Sequence, residues 1–117
     1  MDYDSRAPIY LQVIDRIKKR MVTGEIKPGD KLPSTRALAL EYNVNPNTAA
    51  RIYDEMEAMG LCYTERGLGT FMDRDASVVQ KLRHQMAETL IQEFVREMAA
   101  LGYSAQDMKQ AIEEELK

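Results

Sequence analysis

At 117 residues the chain can hold one compact core, or a small domain with an appendage. Hydrophobic residues at 44% and charged residues at 30% describe an ordinary folding chain rather than a disordered one, and no apolar run approaches a membrane span. The net charge of −3 argues at first against a polyanionic partner, but residues 1–72 balance ten Lys and Arg against ten Asp and Glu, so the acidic excess falls in residues 73–117.

Residues 1–5 are acidic and polar, the wrong chemistry for a secretory signal. The lone Cys62 cannot make an internal disulfide, and its apolar surroundings predict a small buried hydrophobe in a reducing cytoplasm. With only His84 beside it in the composition, there is neither a metal-ligand set nor a nucleophile–base pair. The sequence therefore predicts no catalytic residue, no metal and no cofactor.

In chain order, Pro8 suits the first turn of a helix. Leu11, Ile14, Ile17 and Met21 then recur at spacings of three and four, with Arg16, Lys18, Lys19 and Arg20 off that stripe. This helix stops near Gly24, and the segment 26–32 places a Pro28-Gly29-Asp30 turn between two apolar anchors. Ser34 is a good cap for a short second helix that turns Leu38, Ala39 and Tyr42 inward.

A tight turn of Asn43, Val44 and Asn45 precedes the third helix, with Asn45 as cap and Pro46 as first helical residue. Ala49, Ile52, Tyr53 and Met56 define its buried stripe, and Gly60 ends it. Asn47 and Arg51 are four apart, hence neighbours on the outer face, with Thr48 and the small Ala50 beside them. That face is small, polar and basic, as a helix entering a major groove requires. Residues 61–72 then read as strand, turn and strand, with Arg66-Gly67-Leu68-Gly69 at the tip. Gly67 and Gly69 can take positive φ and let backbone approach a phosphate. Three helices, a short turn inside the second pair and a glycine-tipped hairpin form the layout of a winged helix–turn–helix, which predicts DNA binding.

After a short polar link at 72–75 the pattern changes. Val79, Leu82, Met86, Leu90, Phe94, Met98 and Leu101 make a long apolar stripe, with Ile91 and Val95 alongside, until Gly102. Ser104 and Asp107 suggest a cap, and a final helix carries Met108, Ile112 and Leu116. Two helices cannot bury so wide a band between themselves, so the reading is self-association. The expected architecture is mostly α with a small β-wing: a winged-helix DNA-binding domain over 1–72 and a two-helix dimerisation tail over 73–117. The dimer seam is expected at Val79, Leu82, Met86, Leu90, Phe94 and Met98, with Ile112 and Leu116 packing across it.

The run from Pro8 to Met72, and above all GEIKPGDKLPS-R, NVNPNT and the G-GTF of the hairpin, closely resembles the DNA-binding domain of GntR-type bacterial transcription regulators. The two-helix tail resembles the YtrA-like subgroup, which lacks the large effector-binding domain of its relatives. The resemblance implies a homodimer on a two-fold symmetric operator in double-stranded DNA, usually as a repressor. It also implies a DNA-facing set of Ser34, Thr35 and Arg36, then Asn45, Pro46, Asn47, Thr48 and Arg51, and in the wing Arg66, Gly67 and Gly69. Many relatives carry a basic residue at the position of Pro46 or Ala50. This chain has neither, which leaves Arg51 and Arg36 as its main charged readers. An enzyme would need the further aminotransferase-like domain that some GntR-type proteins carry, with a cofactor lysine. The alternative function is a winged helix used for protein contacts without specific DNA binding.

Overall fold

The computed structural model describes residues 3–117. Its elements are α1 (Ile9–Val22), α2 (Thr35–Tyr42), α3 (Pro46–Ala58), β1 (Cys62–Glu65), β2 (Gly69–Met72), α4 (Ser77–Ala100) and α5 (Ala105–Glu115). They fall into two compact units, one running to Leu82 and the other Arg83–Lys117.

The first unit is built on three helices. α1 buries Val13, Ile14, Ile17 and Met21, α2 buries Leu38, Ala39 and Tyr42, and α3 buries Ala49, Ile52, Tyr53 and Met56. The stripes expected for α2 and α3 are thus met in full. That of α1 is rotated: Leu11, expected inward, is 41% exposed, and Val13 is buried in its place. At about 100° of turn per residue, Leu11 lies roughly 100° from the centre of the Val13–Ile14–Ile17–Met21 stripe, so it cannot share that face.

Local chemistry sets the helix ends. Ser34 Oγ accepts from the Ala37 amide at 3.1 Å and Asn45 Oδ1 from the Thr48 amide at 2.8 Å, each satisfying a donor the helix leaves open. At the other end of α3, Gly60 takes φ +77°, so that the Gly60 amide donates to the Glu57 carbonyl and the Leu61 amide to Met56. The chain thereby turns sharply into β1.

β1 and β2 pair antiparallel, Cys62 opposite Met72 and Glu65 opposite Gly69. The hairpin has a third edge that the alternation of residues did not disclose. Lys31 bridges Phe71, the Leu32 amide donates to the Thr70 carbonyl at 2.8 Å, and the Met72 amide to Asp30 at 2.8 Å. The segment 26–32 is therefore a turn at Lys27–Asp30 followed by one residue of strand, between the buried anchors Ile26 and Leu32. Met72, read as the start of the polar link, is the last residue of β2 and fully buried. No buried polar side-chain atom among the described residues lacks a partner. Tyr53, for instance, donates its phenol to the Pro33 carbonyl.

In the second unit, α4 continues from Arg83 to Ala100, and Gly102 at φ +91° lets the Tyr103 amide close on the Met98 carbonyl. α5 opens with a full capping box: the Asp107 amide donates to Ser104 Oγ, and the Ser104 amide to the Asp107 carboxylate. Met108 is the buried residue here. Around it runs an apolar groove lined by Leu90, Ile91, Phe94, Val95, Met108 and Ile112. Leu90 is 65% exposed, Leu101 73% and Leu116 80%; Met86, Phe94 and Met98 are half-buried. Two seam residues differ from these in place. Val79 and Leu82 belong to the first unit, and Leu82 is only 4% exposed. No described helix is long and apolar enough to cross a membrane.

Candidate nucleic-acid interface

Three pieces of the first unit carry the predicted DNA-facing residues. The first is the start of α2. Lys31 sits on the edge of the hairpin, and the chain runs from it through Leu32 and Pro33 into the cap Ser34. At about 3.3–3.6 Å per residue, those three steps keep the start of α2 within roughly 10 Å of the wing. Tyr53 of α3 holds the same segment at Pro33. Arg36 is exposed in the first turn and Thr35 half-buried. Ser34 uses its oxygen as the cap, which still leaves its O–H as a donor.

The second piece is the exposed side of α3. Asn43, at φ +53°, closes the turn between α2 and α3, aided by the Val44 amide donating to the Ala39 carbonyl. This sets α3 directly against α2. Asn45, Pro46, Asn47, Ala50 and Arg51 are exposed and Thr48 is half-buried. Asn45 spends its carbonyl oxygen on the Thr48 amide, which leaves its NH₂ for other use. The Arg51 guanidinium lies over the ring of Tyr10, 3.8 Å from the centroid.

The third piece is the wing tip. The Leu68 amide donates to the Glu65 carbonyl, Gly67 takes φ +81° and Gly69 φ +123°. A Cβ at Gly69 would meet only the flexible end of Lys31, at 3.0 Å from Cε, so it is the positive φ that calls for glycine there. Arg66, Gly67 and Leu68 are exposed.

The ion pairs sort six of the nine arginines into two groups. Arg6 pairs with Asp4, Arg20 with Glu25 and Glu41, and Arg74 with Glu65. Arg36, Arg51 and Arg66 have no ion pair or hydrogen bond among the described residues. These three are the arginines singled out from the sequence. Arg74 has a further effect: by taking up Glu65 it offsets the carboxylate next to Arg66, leaving the tip positive. Arg74 also donates to the Tyr63 phenol at 2.7 Å, and Tyr63 stacks on Phe71, so the pair is braced against the hairpin.

Sequence reasoning missed Tyr10, Lys31 and Arg74. Tyr10 was hidden inside the start of α1, Lys31 in a turn, and Arg74 in what read as a polar link. Each gains its position from a residue distant in sequence. Cys62 is buried, and burial, with a smaller effect from Glu57, pushes its thiol up to about 12. It therefore stays a neutral thiol at ordinary pH. No group of three potential metal ligands occurs among the described residues.

Helix–turn–helix with a glycine-tipped hairpin on one compact unit is a winged-helix DNA-binding domain. The family described as bacterial regulatory proteins, gntR family, matches residues 9–72, and the chain belongs to that family. It is 43% identical over 110 residues to the uncharacterized HTH-type transcriptional regulator YhcF of Bacillus subtilis, covering 94% of this chain and 91% of that protein. To the HTH-type transcriptional repressor YtrA of the same organism it is 45% identical over 76 residues, 65% of this chain and 58% of YtrA. Among solved structures, a GntR family transcriptional regulator from Listeria monocytogenes superposes with a TM-score of 0.89 at 35% identity, covering 96% of this chain and 98% of that one. The DNA-binding domain of AraR in complex with operator ORR3 matches 62% of this chain and 87% of its own, with a TM-score of 0.55 at 28% identity. The protein is a GntR-type transcription regulator similar to the YtrA-like members, and its family and relatives are regulators rather than enzymes.

Proposed function

We propose that this regulator is a sequence-specific repressor that binds a two-fold symmetric operator as a homodimer in the cytoplasm. Residues 1–72 are the DNA-binding domain and residues 73–117 the dimerisation tail. The observation that carries the DNA reading is the state of the first unit's arginines: Arg36 of α2, Arg51 of α3 and Arg66 of the wing keep their charge unspent, while Arg6, Arg20 and Arg74 are paired with carboxylates. The AraR domain, a related fold, was captured on an operator, and YtrA is described as a repressor.

On this reading Asn47 and Arg51 contact base edges. Asparagine suits a bidentate contact to adenine and arginine one to guanine, each worth about 1–3 kcal/mol of discrimination. Arg36 and Arg66 contact phosphates, with the amides around Gly67 and Gly69 close to the backbone. The dimer reading rests on the uncovered band of Leu90, Ile91, Val95, Leu101, Ile112 and Leu116. Burying a leucine or phenylalanine contributes about 1.5–3 kcal/mol, so two copies of this band attract strongly. A two-fold axis then places two copies of α3 in successive major grooves, about one helical turn apart.

A gel shift on a duplex selected by the protein from a random pool tests the reading, with a shuffled duplex as control. Arg51→Ala is expected to remove the preference for the selected duplex and leave the fold intact. Arg36→Ala is expected to weaken both duplexes alike and lower the slope of log K against log salt by about one. Failure to select any duplex, together with wild-type binding to protein partners alone, would favour the protein-contact alternative.

A further inference from the structure

We infer that Tyr10 is a positioning residue for Arg51, holding its guanidinium ready for the DNA base before DNA arrives. The inference rests on the reading of Arg51 as a base reader. Tyr10 is the second residue of α1, outside the helix–turn–helix, and half-buried. The Arg51 Cζ stands 3.8 Å from the centre of its ring. At that distance an N–H pointed at the ring would clash with it, so the guanidinium meets the ring face-on and its N–H donors, which lie in its own plane, are not used on the ring.

The contrast with Arg74 shows why this matters. Arg74 also lies over a tyrosine ring, at 5.1 Å, but it spends its donors on the Tyr63 phenol and the Glu65 carboxylate. It is a structural latch. Arg51 makes no hydrogen bond or ion pair among the described residues, so its face is held while its fork stays free. A free arginine must give up much side-chain freedom to make a bidentate contact. An arginine already stacked has lost part of that freedom in the unbound protein, which favours the bound state.

Wild-type protein and single and double variants at Tyr10 and Arg51 are compared on the selected and shuffled duplexes. A stack of this kind corresponds to about a 3- to 30-fold effect, and Tyr10→Leu is expected to lower the preference for the selected duplex by that factor. Binding to the shuffled duplex and the salt slope stay unchanged. Tyr10→Phe and Tyr10→Trp keep a ring face and retain the preference. In an Arg51→Ala background, Tyr10→Leu changes nothing further. Thermal unfolding of each variant checks the fold; should Tyr10→Leu unfold, Tyr10→Met and Tyr10→Gln, which also lack a ring face, take its place with the same expected loss.

Several outcomes overturn the inference. If Tyr10→Phe loses as much as Tyr10→Leu, the hydroxyl acts on DNA directly. If the loss from Tyr10→Leu persists without Arg51, the two residues act independently. If Tyr10→Leu discriminates like wild type, the stack has no role. If instead Arg51→Ala itself keeps full discrimination, the reading of Arg51 fails, and that result is distinct from the others.

Discussion

The two compact units of this chain treat their apolar residues in opposite ways. In the first, α1, α2 and α3 each turn a stripe into a shared core, and Ile26, Leu32, Leu61, Cys62 and Met72 close it from the turn and the hairpin. In the second, two helices enclose Met108 and leave Leu90, Ile91 and Val95 of α4 and Ile112 of α5 exposed to water. The difference is one of geometry rather than composition. Three helices and a sheet can surround a centre, whereas a helical pair has only one mutual face. The first unit encloses its apolar stripes; the second leaves an apolar band exposed, which is the surface that the proposed dimer would cover.

The largest expected effect comes from breaking that second surface. Leu90→Glu with Phe94→Glu puts four charges into a two-fold seam, and we expect a monomer by sedimentation whose first unit remains folded. Its affinity for a full operator falls by about 10²–10⁴-fold, because one head no longer raises the effective concentration of the other. A variant that stays dimeric, or a monomer with undiminished affinity, would show that the tail has another role.

The converse change targets the finished core. Ile52 is fully buried on the inner side of α3, so Ile52→Ala leaves a cavity and is expected to cost about 2–5 kcal/mol. Thermal or urea unfolding reads this directly. Sedimentation of the folded fraction is expected to match wild type, since the tail is untouched. Equal loss of association and stability would mean that the two units do not behave separately.

A smaller effect sharpens the comparison within the tail. Ser104→Ala removes the oxygen that accepts the Asp107 amide and is expected to cost about 1 kcal/mol. If the tail is held by its partner, that loss appears as weaker self-association, measured by dilution, with the unfolding of the first unit unchanged. A loss seen only in the first unit's unfolding would contradict it.

Much of the fold was legible because its helix ends are marked by residues with one clear use. Ser34, Asn45 and Ser104 cap, Pro46 starts, and Gly60 and Gly102 stop. Periodicity found the stripes of α2 and α3 for the same reason. It failed at Leu11, where an apolar residue near a helix start fits the spacing but not the angle. The third edge of the wing escaped because a single bridging residue, Lys31, has no alternation to read. In the candidate site, residue type pointed to Arg36, Arg51 and Arg66, but their lack of partners depends on where Asp4, Glu25, Glu41 and Glu65 come to rest. Tyr10 needed the packing of α1 on α3 to come within reach of Arg51.

The neutralised arginines bear on how such a regulator finds its site inside a cell. Attraction to arbitrary DNA grows with the number of phosphates a protein can neutralise, and a genome offers about 10⁶–10⁹ competing positions. With Arg6, Arg20 and Arg74 already committed to carboxylates and the acidic excess gathered in the second unit, part of the chain's positive charge is withheld from random sequence. On the function proposed above, fewer copies are held on chromosomal DNA at large than if those three arginines were free, so fewer molecules are needed to keep an operator occupied.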